Sequence, residues 1–137
     1  MNMIDTLELS RRIASKAHAG QARRGGAPAI NHASAVAGRV RGDDEAEAVA
    51  WLHDVLEDTE WSRDDLWAED IPEKIINAVQ ILTHPKHEPY IDYINRVKTN
   101  ALARKVKLAD IQSNLEDSPS ERQKEKYTKA LKILKGT

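Results

Sequence analysis

Apolar residues recur at spacings of three and four along most of the chain, which predicts α-helices. No segment alternates apolar and polar residues over the length of a strand. We therefore expect an all-α fold. A length of 137 residues is close to the commonest size of one domain, so the prediction is a single domain over residues 1–137 with one hydrophobic core.

The segment AVAWLHDVLEDT is predicted to lie in one continuous helix, the third of the chain, which begins at a cap formed by Asp43 or Asp44. A glycine-rich stretch, GQARRGGAPAIN, separates the first helix from the second. A capping box is predicted for the last helix, with Ser118 as the cap and Glu121 reaching back to it. Two other residues are predicted to cap helices: Ser62 and Asn100.

Two pairs of ionisable residues interrupt the apolar pattern of the third helix. His53 and Asp54 lie beside its apolar face. Because adjacent residues diverge by about 100° around a helix axis, these two can bind one ion only if it lies between helices. The remaining ligands must then come from other segments, and His32 and Asp110 are the candidates because each lies in its own apolar segment.

Two histidines and two aspartates suit a borderline or hard divalent ion such as Mn²⁺. A single histidine on a half-apolar helix is often only structural, and an aspartate near a helix centre is often a surface group. The occurrence of all four residues in one chain favours a metal site over these alternatives.

Glu57 and Asp58 follow the first pair at a spacing of four, one helical turn further along the same face. They are predicted to act as general acid and base beside a metal-bound water without coordinating the metal. The alternative is that they form a solvated helix end.

The loop QARRGGAP places Arg23 and Arg24 before two glycines, which brings guanidinium groups and bare backbone close to an anion. We expect this loop to bind phosphate, although the same composition is common in surface turns.

The overall charge and the lack of cysteine narrow the function classes. With 21 basic and 22 acidic residues the net charge is −1, so we expect no nucleic-acid or membrane partner. The absence of cysteine excludes disulfides, thiolate zinc sites and thiol catalysis. A reducing cytosol fits this composition, and the N-terminus lacks the apolar core of a signal peptide, so a cytoplasmic location is expected.

Three motifs in order, AHAGQARRGGAPAINH, AWLHDVLEDT and VKLADIQSN, resemble the hydrolase domain of the RelA/SpoT homologues, most closely the small alarmone hydrolases. That family belongs to the HD-domain phosphohydrolases, and the resemblance implies a bundle of about seven to nine helices. It also implies the following ligands of Mn²⁺: His32, His53, Asp54 and Asp110.

The same resemblance implies roles for residues around the ion. Glu57 and Asp58 match the catalytic acidic pair, Arg23 matches a basic position that contacts the nucleotide, and Asn114 matches an asparagine that lines the same pocket. His18 and Gln21 match the opening motif, where a supporting or packing role is expected.

The function implied by the resemblance is removal of the 3′-pyrophosphate from guanosine tetra- or pentaphosphate, within the stringent response, by a monomer or homodimer. Ala29 and Ala33 replace a tyrosine and a proline of the family pattern, and residues 83–96 also depart from it. Two alternatives therefore stay open: an HD-domain phosphohydrolase for another nucleotide or phosphoester, and a nucleotide-sensing module without catalysis.

Overall fold

The computed structural model describes residues 2–23 and 25–136. Within these residues the chain forms nine helices, and its β pairing is limited to an isolated bridge between Ala22 and Pro28. The helices are α1 (Met3–Ala17), α2 (Ala29–Arg39), α3 (Asp44–Leu52), α4 (Val55–Asp58), α5 (Arg63–Ala68), α6 (Glu73–Leu82), α7 (Tyr90–Lys98), α8 (Ala101–Leu115) and α9 (Glu121–Lys135). The predicted all-α fold class is confirmed.

Helix α3 lies at the centre of the bundle, with α1, α2, α6 and α8 packed around it. Its alanines Ala46, Ala48 and Ala50 are completely buried, and their small side chains let the neighbouring helices approach closely. As predicted, Asp43 caps this helix, since its side chain accepts a hydrogen bond from the backbone N of Ala46 over 3.1 Å. The central position of α3 brings its C-terminal end beside α2 and α8.

Helix α9 packs against α7 and α8 and closes one side of the bundle. Its capping box is formed by Ser120 and Gln123, not by Ser118 and Glu121, so that prediction was wrong by two residues. Ser118 has a φ of +51° and belongs to the turn before the helix. The other predicted caps are confirmed, because Ser62 and Asn100 each accept a hydrogen bond from the backbone three residues on.

Large apolar side chains remain partly outside the core at a few positions. Trp61 packs against the core, whereas Trp67 is 59% exposed. Among the described residues, every helix is too short or too polar to cross a bilayer.

Candidate metal centre

His32 is held near the start of α2 by the glycine-rich loop that precedes the helix. The loop closes through a hydrogen bond of 2.7 Å from the backbone N of Arg23 to the carbonyl of Ala27. Gly25 and Gly26 form its tip with φ values of +100° and +96°, a region that side chains other than hydrogen rarely allow. The loop therefore places the buried side chain of His32 at the interface between α2 and the rest of the bundle.

His53 and Asp54 lie at a break between α3 and α4, so the prediction of one continuous helix was wrong. The Nδ1 atom of His53 lies 2.6 Å from the carbonyl O of Ala50, three residues earlier. A carbonyl only accepts, so Nδ1 carries the hydrogen, and this bond competes with the helical bonding of the same carbonyl. In the neutral ring, Nε2 is then free to bind a metal.

Three of the four predicted ligands converge in the buried interior. The Nε2 atom of His32 lies 2.7 Å from Oδ1 of Asp110, and Nε2 of His53 lies 3.5 Å from the same oxygen. One ligand atom from each residue fits within 4.8 Å of the others. The centre therefore joins α2, the α3–α4 break and α8.

Asp54 lies at the edge of this cluster, not within it. Its Oδ2 atom is 3.3 Å from Nε2 of His53, and its side chain is 33% exposed. The position leaves Asp54 between the buried cluster and the open surface.

The buried Nε2 atom of His53 fits a metal ion. This atom has no hydrogen-bond partner among the described residues, although carboxylate oxygens of Asp54 and Asp110 lie within 3.5 Å. Burial disfavours the charged ring, yet these carboxylates outweigh it and raise the pKa of His53 to about 9. The carboxylates around His53 therefore favour a positive charge at this position. A divalent ion bound by imidazole and carboxylate would supply it.

Asp110 is oriented by further partners on its own helix. Its Oδ2 atom accepts from Nζ of Lys107 over 2.9 Å, and its Oδ1 atom accepts from Nδ2 of Asn114 over 3.3 Å. Burial would raise the pKa of Asp110, but Lys107, His32 and His53 hold it well below the usual range. The carboxylate is therefore ionised, as a metal ligand must be.

Glu57 and Asp58 form the exposed end of the short helix α4. An oxygen of the Glu57 carboxylate accepts from the backbone N of His84 over 2.7 Å, which ties α4 to the turn after α6. The pKa of Asp58 is raised to about 6, first by partial removal from water and then by the nearby carboxylates of Asp54 and Glu57. Such a carboxyl group can exchange a proton near neutral pH.

His18 and Gln21, from the first of the three sequence motifs, link the end of α1 to α4. Nδ1 of His18 lies 2.6 Å from Oε1 of Gln21, and Nε2 of Gln21 donates to the carbonyl of Asp58 over 2.6 Å. These bonds link the end of α1 to the acidic pair, in agreement with the expected supporting role.

The structure also brings together two of the three predicted substrate contacts. Nη2 of Arg23 donates to Oδ1 of Asn114 over 3.0 Å, and its Nη1 lies 3.5 Å from a carboxylate oxygen of Asp117. Since Asn114 also donates to Asp110, the loop is connected to the candidate metal centre through Asn114. Arg24 lies outside the described residues.

A cavity of about 130 Å³ opens beside His53, Asp54 and Glu57. Sequence reasoning missed most of the remaining wall of this cavity, which is built by His84, Tyr90, Tyr93, Lys107, Lys126 and Tyr127. The wall combines residues from α7, α8 and α9 with the turn before α7, and nothing in their local spacing reveals that they meet.

Comparison with known proteins connects this geometry to a solved structure. The structure of a metazoan ortholog of SpoT that hydrolyzes ppGpp and plays a role in starvation responses is similar to this chain, with a TM-score of 0.80 and 25% identity. The likeness covers 96% of this chain and 86% of the other. No protein-family model and no curated protein matches the sequence. The structural likeness confirms the resemblance to SpoT-type hydrolases and the HD-type helical bundle that the motifs implied.

Proposed function

We propose that this chain is a metal-dependent phosphohydrolase that removes the 3′-pyrophosphate of guanosine 3′,5′-bis(diphosphate) or of the corresponding pentaphosphate, leaving GDP or GTP. The observation that carries the proposal is the likeness, over nearly the whole chain, to a protein that hydrolyzes ppGpp. The cluster of His32, His53 and Asp110 supplies the chemistry that such a reaction needs.

Four residues would hold the ion: His32, His53, Asp54 and Asp110. When bound, a divalent ion supplies Lewis-acid polarisation of a phosphoryl oxygen and favours deprotonation of water. We propose Mn²⁺ because the family resemblance implies it and because two imidazoles with two carboxylates suit a borderline or hard divalent ion. The buried Nε2 of His53, which has no hydrogen-bond partner among the described residues, supports the binding of a divalent ion at this position.

Glu57 and Asp58 would move the protons of the reaction. A water oxygen forms a bond to the phosphorus attached to O3′, the bond from that phosphorus to O3′ breaks, and O3′ gains a proton. The raised pKa of Asp58, about 6, suits a group that takes the proton of the water and returns one to O3′. A hydrogen bond from the backbone N of His84 holds the Glu57 carboxylate beside the cavity.

Arg23 and Asn114 would bind the nucleotide at the open side of the centre. Arg23 borders depressions of about 200, 300 and 360 Å³, and the largest of these three is also lined by Asp54 and Asp58. Arg24, on the same loop, is proposed to neutralise phosphate charge.

The direct test is a nucleotide assay with the purified chain and Mn²⁺, in which pyrophosphate and orthophosphate are measured separately. We expect GDP and pyrophosphate from the tetraphosphate, loss of turnover in EDTA and recovery when Mn²⁺ is restored. An absence of turnover, with metal analysis showing an occupied site, would contradict the proposal.

A second candidate keeps the reaction class and changes the substrate to another nucleotide or phosphoester. It is favoured by Tyr90 and Tyr93, which lie in the segment that departs from the family pattern and border the cavity. Faster hydrolysis of a nucleoside monophosphate than of the tetraphosphate in the same assay would select it. A sensing module without catalysis is disfavoured, because it would need no acid–base pair such as Glu57 and Asp58.

We further propose a cytoplasmic location and a role in the stringent response, as a monomer or homodimer. A chain without cysteine fits a reducing compartment. Because the enzyme would degrade ppGpp, its proposed role is to end a starvation signal.

A further inference from the structure

Two lysine ammonium groups line the cavity that borders the candidate metal centre. Nζ of Lys126 lies 4.2 Å from the ring centroid of Tyr90, and Nζ of Lys107 lies 5.1 Å from that of Tyr93. Cation–π contacts of this kind fix the position of an ammonium group without neutralising its charge. Both cations therefore face the same small space from neighbouring helices.

The two lysines differ in how their charge is balanced. Lys107 is paired with Asp110, whereas Lys126 forms no ion pair within the part of the chain that the structure describes. The pKa of Lys126 is lowered, first by partial removal from water and then by the like charges of Lys107 and Arg122. An anion in the cavity would relieve this repulsion.

The hydroxyl group of Tyr90 also favours an anion in the cavity. It is buried and has no hydrogen-bond partner among the described residues. Burial raises the pKa of Tyr90 to about 12, so the group remains a hydrogen-bond donor. A buried donor without an acceptor is costly, and an anion oxygen in the cavity would remove this cost.

We infer that Lys126 and the Tyr90 hydroxyl, supported by Lys107, form an anion subsite that binds the terminal phosphoryl group of the 3′-pyrophosphate. The inference rests on the proposed function and extends it. It makes Lys126 and Tyr90 determinants of specificity for a diphosphate over a monophosphate at the 3′ position.

The shape of the site supports this assignment. The cavity is lined both by the metal-centre residues His53 and Asp54 and by the two lysines, of which Lys107 also pairs with Asp110. At about 130 Å³ it is smaller than the depressions around Arg23, and so suits a compact phosphoryl group better than a nucleoside. In the reaction, the P–O–P bridge between the two 3′ phosphoryl groups stays intact, so the subsite holds the terminal phosphoryl group in both substrate and product.

The test compares product inhibition in the metal-loaded full chain, with inorganic pyrophosphate and orthophosphate as probes. The variants are Lys126→Met and Tyr90→Phe, and Lys124→Met is the matched control. Lys124 lies on α9 two residues earlier, about 200° around the helix, and pairs with Glu121 on the surface. Pyrophosphate also binds free metal, but this effect is the same for every variant at one metal concentration.

We expect Lys126→Met to raise the inhibition constant of pyrophosphate about tenfold, which corresponds to about 1.4 kcal/mol. Orthophosphate inhibition should change less than about twofold, and the Lys124→Met control should match the wild type. Tyr90→Phe should weaken pyrophosphate binding while preserving the ring beneath Lys126. Unchanged pyrophosphate inhibition in Lys126→Met, or an equal loss in Lys124→Met, would overturn the inference.

Direct calorimetric titration of pyrophosphate separates this inference from the proposed function. If the wild type does not cleave the tetraphosphate but Lys126→Met still loses pyrophosphate affinity, the substrate is wrong and the subsite stands. If the wild type cleaves it and Lys126→Met keeps full pyrophosphate affinity, the function stands and the subsite is overturned.

Discussion

The Oδ1 atom of Asp110 lies 2.7 Å from Nε2 of His32, although 78 residues separate them in the sequence. This contact joins α8 to the start of α2 inside the bundle, where both side chains are buried. Asp110 also forms an ion pair with the largely buried ammonium group of Lys107. One carboxylate thus serves both the proposed metal site and the electrostatic balance of the core.

Replacement of Asp110 should affect metal binding and stability together. We expect Asp110→Asn to lose the bound metal, and to lower the free energy of unfolding of the metal-free chain by roughly 3 kcal/mol, because the largely buried ammonium group of Lys107 loses its partner. Metal analysis and urea denaturation measure the two effects. Asp117→Asn, on an exposed residue, is the control, and wild-type metal content in Asp110→Asn would contradict the ligand assignment.

Metal binding should release a proton from His53. In the metal-free chain the pKa of His53 is raised to about 9, so the ring is protonated near neutral pH. A metal must displace this proton, and its apparent affinity should therefore rise about tenfold per pH unit until the pH approaches 9. Calorimetric titrations in two buffers of different ionisation enthalpy count the protons, and a count of zero at pH 7 would contradict this expectation.

The acidic pair should be needed for turnover and not for metal binding. Because Glu57 accepts a hydrogen bond from His84, the amide variants Glu57→Gln and Asp58→Asn preserve more of the local structure than alanine would. We expect each to lower kcat by about 100-fold or more with unchanged metal content. Glu60→Gln, just beyond α4, should behave as the wild type. Near-full activity of the double amide variant would refute the acid–base assignment.

Asp58→Asn should also stabilise the metal-free chain in a pH-dependent way. The folded-state pKa is raised from 3.8 to about 6, so the folded chain holds this proton more tightly than the unfolded chain. The resulting penalty is absent below about pH 4, grows between pH 4 and 6 and is complete above pH 6. Because the side chain is exposed, we expect a gain of no more than about 1 kcal/mol. Thermal unfolding at pH 4.5 and 7.5 measures it, and an equal gain at both values would count against the shifted pKa.

Local signals in the sequence predicted much of the fold. Caps at Asp43, Ser62 and Asn100 are confirmed, because a cap depends on a side chain and a backbone group only three residues apart. The same local signals predicted the wrong cap for the last helix, because Ser118 and Ser120 both precede its apolar pattern. The structure uses Ser120, since the chain turns through a positive φ at Ser118 first.

The helix break at His53 shows a different limit of local reasoning. The apolar spacing continues through Val55 and predicts one helix, and no cap or breaker residue marks the interruption. It arises because the His53 ring bonds to the carbonyl of Ala50 while its other nitrogen faces Asp54 and Asp110. A contact with a residue of α8 cannot be read from the spacing within α3.

The sequence by itself determined the helical class and the chemistry of the donor groups, because helix periodicity and the ionisation of imidazole and carboxylate are properties of residues and short segments. Only the tertiary structure decided that His32, His53 and Asp110 converge, and that Lys126 and Tyr90 line one cavity together with His53. These contacts depend on how the helices pack around α3. Packing is a property of the whole core, which no single segment encodes.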